Sequence, residues 1–143
     1  HVWMVMEYMT YTSLTTCLDE GWGKWDAHPE REGIVAYVAR EVCNGLAYLH
    51  SYHRVHRDIK SDNVFLSEGG KVKLGDLGTC VHLTKEQSKR QSLRGTPNWL
   101  APECIMQTLY DDKVDVWGMG ILLMEMLEQE PPYFNEEYMV AMH

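Results

Sequence analysis

Eight residues near the middle of the chain, HRDIKSDN at 56–63, combine side chains that could carry out chemistry. They follow an apolar run with helical spacing and precede a short strand-like run, so we expect them in a loop, where functional residues concentrate. A carboxylate there, Asp58, could orient a hydroxyl group and accept its proton. Lys60 could place a positive charge on a phosphoryl group as that group is transferred.

Two oxygen-bearing side chains frame the segment that follows this loop. Asn63 precedes and Asp76 follows two strand-like runs, NVFLS and KVKLG, which are joined by Glu68-Gly69-Gly70. A glycine turn between two such runs predicts an antiparallel hairpin, which would bring Asn63 and Asp76 together. Amide and carboxylate oxygens are ligands that magnesium takes. The pattern therefore predicts a magnesium site beside Asp58.

The order of the motifs is more informative than any one of them. A single charged loop residue is more often only solvated, and an H-R-D triplet alone is a weak signal. Here H-R-D-x-K-x-x-N is followed by D-x-G beyond a hairpin, then by G-T-P-x-W-x-A-P-E and D-x-W-x-x-G. No structural requirement explains that order and spacing, so the set indicates a function.

With these motifs the chain resembles the C-terminal lobe of a eukaryotic protein kinase. HRDIKSDN corresponds to the catalytic loop, DLG at 76–78 to the metal-binding motif, GTPNWLAPE at 95–103 to the end of the activation segment, and DVWGMG at 115–120 to the central helix. Lys60 and GTPNW are typical of serine/threonine kinases. The stretches HRDIKSDN, TKEQSKRQSLRGTPNWLAPE and EQEPPYFNEE resemble the PAK branch of the Ste-twenty group.

The resemblance implies roles for the loop residues. Asp58 would be the catalytic base or the residue that orients the acceptor hydroxyl, and Lys60 would steady the γ-phosphate of ATP. Thr96 would bond to both of them and shape the acceptor site. Asn63 and Asp76 would hold Mg²⁺, and Leu77, where phenylalanine is usual, would still fill an apolar slot.

The resemblance also implies the lining of a nucleotide pocket. Glu7 and Met9 would be hinge residues whose main-chain groups meet adenine, Met6 would be the gatekeeper, and Phe65 would floor the adenine pocket. Asp62, in the HRDIKSDN loop, would also contact the cofactor. On packing grounds alone, methionine and phenylalanine at these positions could equally be core residues.

Three further residues are predicted to have structural roles. Asp115 lies in a helix that is apolar on nearly every side and is therefore expected to be buried, so its carboxylate must find donors. By resemblance it accepts hydrogen bonds from the catalytic-loop backbone and so fixes Asp58. Glu103 would pair with an arginine further along, although no arginine follows Arg94. His56 is expected to be structural.

Regulation and substrate choice give two more expectations. Ser92 aligns with the activation-loop phosphorylation site, and Arg57 lies where such a phosphate can dock, so phosphorylation would order residues 76–100. The alternative is a merely solvated serine. Asp62 and Glu125 match positions that receive an arginine upstream of the phosphorylated residue; the alternative is that both are surface acids.

The amino-acid composition limits the class of protein to which the chain can belong. Of the 143 residues, 45% are hydrophobic and 24% are charged, which is typical of a globular domain. A formal net charge of −8 argues against a nucleic-acid or anionic-membrane binder. The four scattered cysteines are expected to be reduced and mostly buried in a cytoplasmic protein. No apolar run is long enough to span a membrane.

The predicted fold is mainly α with short β hairpins, a kinase-like C-terminal lobe that includes the fifth strand and the hinge. The patterns predict a buried strand at the chain start, a capped short helix, a surface loop holding Trp22 and Trp25, two long helices and a last helix near the end. The buried strand spans Val2–Met6, the capped helix Ser13–Leu18 and the surface loop 19–33. The two long helices span Arg31–Tyr52, in which Gly45 is expected to mark a close helix contact, and Lys113–Glu128. The last helix starts near Asn135.

The sequence has no glycine-rich loop and no Val-Ala-x-Lys strand, which in kinases belong to the N-terminal lobe that grips ATP. We therefore expect residues 1–143 to be a partial kinase domain that needs an N-terminal lobe and is inactive alone. Protein substrates are expected partners, with a small GTPase acting through regions outside these residues. The alternative is a non-catalytic lobe that acts as an interaction or regulatory module. The intact set Asp58, Lys60, Asn63 and Asp76 favours the enzyme.

Overall fold

The computed structural model describes residues 1, 3, 5–19, 28–84 and 86–136. Within these ranges the helices are α1 (Leu14–Asp19), α2 (Arg31–Ser51), α3 (Pro102–Ile105) and α4 (Lys113–Glu128), and the strands are β1 (Arg54–Val55), β2 (Val64–Leu66), β3 (Val72–Leu74) and β4 (Val81–His82). Strand β1 pairs with β4 and β2 with β3, both antiparallel. The prediction of a mainly α fold with short β hairpins is confirmed.

The buried apolar side chains of the described residues form two clusters. The larger one is formed by α1, α2, β2 and α4, and on α2 its residues recur at helical spacing as Val35, Val38, Val42 and Leu46. The smaller cluster joins β1, α3 and α4. It includes Val55, Leu100, Cys104, Tyr110 and Val114. The HRDIKSDN loop contributes Ile59 to the larger cluster, and Val55, directly before the loop, belongs to the smaller one.

The predicted short helix and its cap are confirmed. Helix α1 begins at Leu14, and the backbone amide of Thr16 donates to the Ser13 hydroxyl at 3.4 Å, which is N-cap geometry. Helix α2 is also confirmed, ending one residue before the predicted end. The expectation that Gly45 marks a close helix contact is wrong, because a Cβ there would meet only Leu74 of β3, at 3.6 Å.

The β2–β3 hairpin forms as predicted. Val64 pairs with Leu74 and Leu66 with Val72, and the turn uses Gly69 at φ 80° and Gly70 at φ 75°. This pairing places Asn63, directly before β2, opposite Gly75, directly after β3.

The central helix α4 has the predicted bounds, but its predicted burial on nearly every side is wrong. Val116, Trp117 and Met124 are 57%, 45% and 48% exposed. The apolar sequence predicts a buried helix without telling which neighbour covers each face, and one face is uncovered within the described residues. The opposite face packs against the HRDIKSDN loop.

The predicted buried strand at the start of the chain is also wrong for the residues that the structure describes. Trp3 is 89% exposed, Val5 is 96% exposed, and neither belongs to a strand. A strand needs a neighbour for its backbone hydrogen bonds, and the described part of the chain provides none before Tyr11, whose amide donates to the Leu66 carbonyl at 3.0 Å.

Two other predictions fall wholly or partly outside the described residues. The tryptophan pair of the predicted surface loop lies in the undescribed range 20–27, and most of the last helix expected after Asn135 lies in 137–143.

The four cysteines, which all lie within the described residues, form no disulfide bonds. Only Cys104 is buried, and burial raises the pKa of its thiol to about 11, whereas Cys43 is exposed, so the expectation of mostly buried cysteines is wrong. Among the described helices, none has the length and apolar character that a membrane crossing requires.

Candidate active site

The HRDIKSDN loop begins at a histidine with no exposed surface. His56 donates from Nε2 to the carbonyl of Gly75 at 2.9 Å and accepts at Nδ1 from the amide of Asp58 at 3.3 Å. These two bonds assign the neutral Nε2–H tautomer. His56 therefore ties the loop to the end of β3, immediately before Asp76.

A carboxylate on α4 holds the same part of the loop from the other side. Asp115 accepts the backbone amide of His56 at 2.8 Å and that of Arg57 at 2.7 Å, and its side chain is fully buried. A third donor, Nε2 of His50 on α2, lies 2.8 Å from the carboxylate. The desolvated charge is thus compensated by three hydrogen bonds.

The carboxylate of Asp58 is fixed at both oxygens. The hydroxyl of Thr96 donates to Oδ1 at 2.7 Å, and the amide of Asn63 donates to Oδ2 at 3.1 Å and to the Asp58 carbonyl at 2.8 Å. Lys60 is paired with Asp62, Nζ to Oδ2, at 3.6 Å. The structure thus joins Asp58, Asn63 and Thr96, while the expected bond between Thr96 and Lys60 stays a prediction.

Two side-chain oxygens at the open end of the hairpin have the chemistry that magnesium requires. Because Asn63 directs its amide nitrogen at Asp58, its oxygen Oδ1 is not used in that contact. Asp76 accepts the Gly78 amide at Oδ1, at 3.2 Å, which leaves Oδ2, and the Gly75 amide bonds to the Asn63 carbonyl at 2.9 Å. Two hard oxygen ligands fit Mg²⁺, which fills its shell with water and phosphate oxygens.

One expectation about the DLG motif is wrong. Leu77 was expected to fill an apolar slot, but it is 55% exposed. More than half of this residue is uncovered by the described part of the chain, so the apolar residue after Asp76 does not fill a closed slot there.

The predicted regulatory pair is in contact. Arg57 donates from Nη1 to the hydroxyl of Ser92 at 2.9 Å and from Nε to the carbonyl of Thr79 at 2.7 Å. Tyr110, which is 2% exposed, donates its hydroxyl to the Ser92 carbonyl at 2.9 Å and accepts from Arg57 at 3.1 Å. Sequence reasoning missed Tyr110, because its partners lie 18 and 53 residues away and no local spacing signals them.

The two acids expected to receive a substrate arginine have different environments. Asp62 has a side chain that is 53% exposed. Glu125 is 5% exposed, so the alternative of a surface acid is wrong for it. It accepts the Ser61 amide at 3.2 Å, the Ser61 hydroxyl, and Nε1 of Trp99 at 2.9 Å. Burial raises the pKa of Glu125, and these donors oppose that rise.

Of the residues expected around adenine, Glu7 contacts the hairpin and Phe65 belongs to it. Glu7 pairs with Lys73 at 2.6 Å and with Lys71 at 3.1 Å, which lowers the pKa of its carboxyl. Met6 is 72% exposed and Met9 half-buried. Their nucleotide roles stay predictions.

Phe65, the expected floor of the adenine pocket, lies in the middle of β2. It is half-buried, and its ring covers Gly75 so closely that a Cβ there would lie 2.6 Å from a ring carbon. Glu103 lines a shallow apolar groove with Trp117 and Lys113 of α4. The arginine partner of Glu103 stays a prediction.

Comparison with known proteins agrees with this geometry. The family model described as "Protein kinase domain" matches residues 1–143. The chain is 51% identical to serine/threonine-protein kinase CLA4 of Eremothecium gossypii, 48% identical to CLA4 of Saccharomyces cerevisiae and 46% identical to serine/threonine-protein kinase PAK 1 of Mus musculus. Each comparison covers 99% of this chain but only 18%, 17% and 25% of the relative.

The resemblance to PAK-type kinases that the motifs indicated is therefore confirmed. A match over the full chain, together with relatives near half identity, establishes the family. The chain belongs to the protein kinase domain family.

Proposed function

We propose that this chain carries the catalytic loop of a serine/threonine protein kinase that transfers the γ-phosphate of ATP, with Mg²⁺, to hydroxyl groups of protein substrates. It works within a longer kinase chain, since it spans about a fifth of the length of the relatives quoted above. The observation that carries the proposal is the fixed carboxylate of Asp58, held between Thr96 and Asn63.

The acceptor hydroxyl is the group that Asp58 serves. With Thr96 on one oxygen and Asn63 on the other, the carboxylate has a defined direction and remaining lone pairs for a substrate hydroxyl. It orients that hydroxyl and takes its proton as the new oxygen–phosphorus bond forms and the bond from the γ-phosphorus to the bridging oxygen breaks, with ADP as the leaving group. Such preorganisation lowers the barrier because little reorganisation is needed in the transition state.

Other residues would stabilise the negative charge of the phosphates. Lys60 is a partly exposed residue of the loop, and its ammonium group can meet the transferred phosphoryl group. Asn63 and Asp76 would hold Mg²⁺, which neutralises phosphate charge when bound. Met6, Glu7, Met9 and Phe65 would bound the adenine side of the nucleotide.

Phosphorylation of Ser92 is the regulatory step of this proposal. Arg57 follows His56 directly and already reaches the Ser92 hydroxyl at 2.9 Å. A phosphate there would form charge-assisted bonds to the same guanidinium group and hold the 76–100 segment against the loop. The proposal also includes protein substrates with an upstream arginine that Asp62 and Glu125 recognise. A small GTPase would act through other regions, and the location would be cytoplasmic, where four cysteines without disulfides stay reduced.

The test is phosphate transfer by the full-length protein that contains this chain. Magnesium and γ-labelled ATP would be supplied with serine, threonine and tyrosine peptides, followed by phosphoamino-acid analysis, with a chelator as the matched control. We expect label on serine and threonine that disappears with the chelator. Label on tyrosine alone, or no transfer from protein phosphorylated at Ser92, would contradict the proposal and favour a non-catalytic interaction module.

A further inference from the structure

Tyr110 contacts the segment around Ser92 with both its backbone and its side chain. Its backbone amide donates to the Arg90 carbonyl at 2.8 Å, and its own carbonyl accepts the Arg90 amide at 2.9 Å, which is an antiparallel β-bridge. Two residues further along the segment, the Ser92 carbonyl accepts the Tyr110 hydroxyl at 2.9 Å. A single tyrosine on the approach to α4 therefore holds the segment at both residue 90 and residue 92.

The hydroxyl of Tyr110 completes a ring of hydrogen bonds that needs no phosphate. Nη1 of Arg57 lies 2.9 Å from the Ser92 hydroxyl and 3.1 Å from the Tyr110 hydroxyl, and the two hydroxyls lie 3.1 Å apart. Because the proton of Tyr110 goes to the Ser92 carbonyl, the Ser92 hydroxyl is the donor between the two hydroxyls. The ring thus closes while Ser92 is unmodified.

Tyr110 is anchored in the protein, whereas the residues that it holds lie at the surface. Tyr110 is 2% exposed and belongs to the smaller apolar cluster, but Ser92 is exposed. A further bond runs in the same direction, because Nε2 of Gln91 donates to the carbonyl of Gln107 at 2.6 Å. The stretch that leads to α4 is therefore the fixed side of this contact, and the Ser92 segment is the side that it positions.

The segment held by Tyr110 continues directly into the catalytic site. Three residues after Ser92, Gly95 packs on the Arg57 carbonyl so closely that a Cβ there would lie 2.6 Å from the oxygen. The next residue, Thr96, donates its hydroxyl to Asp58 at 2.7 Å. Holding the segment at Ser92 therefore fixes the path of the backbone that brings Thr96 to Asp58.

From these contacts we infer that Tyr110 is a positioning residue that docks the Ser92 segment before Ser92 is phosphorylated. The inference rests on the proposed kinase function, because its consequence is a basal activity of the unphosphorylated protein. Phosphate on Ser92 adds charge-assisted bonds to Arg57, which hold the same segment more strongly and make the tyrosine hydroxyl dispensable. The hydroxyl of Tyr110 therefore matters most in the unphosphorylated protein, and phosphorylation raises an activity that is already present.

The decisive variant is Tyr110→Phe in the full-length protein, which removes the hydroxyl but keeps the buried ring and the backbone bridge. Two forms are compared, one dephosphorylated by a phosphatase and one with phosphoserine introduced at position 92 by genetic encoding. For a serine peptide we expect kcat/KM of the dephosphorylated form to fall ~10-fold, and that of the phosphoserine form to stay within ~2-fold of its wild-type counterpart. Tyr52→Phe, which removes an exposed hydroxyl directly after α2, should leave both forms unchanged.

A second measurement tests the docking without any phosphate transfer. Lys89 and Arg94 lie on either side of the docked residues, are exposed, and are cleavage sites for trypsin. Under native conditions we expect dephosphorylated Tyr110→Phe to be cut at these two sites ~10-fold faster than wild type, because cleavage follows the population of the undocked segment. Tyr52→Phe should be cut at the wild-type rate, and mass spectrometry identifies the cuts.

Different results would overturn the inference in different ways. An equal fall of kcat/KM in both forms, or faster cutting throughout the chain, would show that Tyr110 serves stability alone. Wild-type kcat/KM and wild-type cutting in dephosphorylated Tyr110→Phe would show that its hydroxyl does not hold the segment. If the wild-type protein transfers no phosphate in either form, the proposed kinase function itself fails, and the role of Tyr110 in catalysis fails with it.

Discussion

The carboxylate of Asp115 binds the backbone amide of Arg57 at 2.7 Å, and Arg57 has a left-handed backbone with φ 71°. For a residue other than glycine, that conformation costs on the order of 1–3 kcal/mol. The bonds from Asp115 to the amides of Arg57 and His56 offset this cost and hold the loop in the shape that presents Asp58.

Replacing Asp115 tests this relationship. In Asp115→Asn the new NH₂ group faces an N–H donor, so at least one bond to the loop is lost, and the remaining bonds lose the charge that strengthens them. We expect a loss of about 2–4 kcal/mol in the free energy of unfolding, measured by urea titration, together with a lower kcat. Asp19→Asn, at an exposed position, is the control. Wild-type stability in Asp115→Asn would contradict the proposed role.

The contact between His50 and Asp115 makes stability depend on pH. The hydrogen bond to Asp115 is the main cause that raises the pKa of His50 above its usual 6.5, with Asp112 adding to the rise while desolvation and Lys113 oppose it. Because the folded pKa is the higher one, the stabilisation is complete below about pH 6.5 and is lost as the pH rises through the folded pKa.

His50→Gln should therefore reduce the dependence of the free energy of unfolding on pH as the pH rises through the folded pKa of this histidine. His82→Gln, at an exposed position, should leave that dependence unchanged. Urea unfolding at a series of pH values measures the difference. An unchanged pH dependence in His50→Gln would show that another group titrates.

Ser92→Ala tests regulation at the Arg57 contact. Without the hydroxyl, residue 92 cannot be phosphorylated. The guanidinium group of Arg57, which also bonds to Thr79 and Tyr110, then has no phosphate with which to form charge-assisted hydrogen bonds. We expect kcat/KM of the activated protein to fall about tenfold, corresponding to ~1.4 kcal/mol. Ser88→Ala, also exposed and in the same segment, is the matched control. Equal activity in Ser92→Ala and wild type would refute this regulation.

Two glycines on α4 offer a matched pair for the helix–loop contact. In Gly118→Ala the new Cβ would lie 3.0 Å from the Ile59 Cβ and 3.4 Å from its carbonyl oxygen, so the loop must shift. We expect about 1–3 kcal/mol of destabilisation in urea unfolding. At Gly120 a Cβ meets nothing within 4 Å of the described residues, so Gly120→Ala should stabilise by up to about 1 kcal/mol through helix propensity. Equal effects at both positions would show that the Ile59 contact is unimportant.

The spacing of residues along the chain predicts much of the site, but it does not predict hydrogen bonds between residues that are far apart in sequence. Asn63 and Asp76 could be placed together from the sequence because a glycine hairpin lies between them, and Ser13 could be read as a cap from its position before α1. The contacts of Tyr110 and the internal hydrogen bonds of Glu125 could not be predicted, because their partners lie 18 to 64 residues away and no period connects them.

Exposure was the other property that the sequence could not reveal. Trp117 and Val5 are apolar residues in segments that read as buried, yet both are exposed in the described part of the chain. Apolar patterns show which faces need a partner, and only the fold shows whether the described residues provide one.

The central claim is that Asp58 orients the acceptor hydroxyl. The most direct measurement is kcat of the full-length protein with magnesium, ATP and a serine peptide, compared between wild type, Asp58→Asn and the exposed control Glu68→Gln. We expect Asp58→Asn to lose about 10²–10⁴-fold in kcat, with little change in KM for ATP, and the control to match wild type. Wild-type turnover in Asp58→Asn would contradict the account.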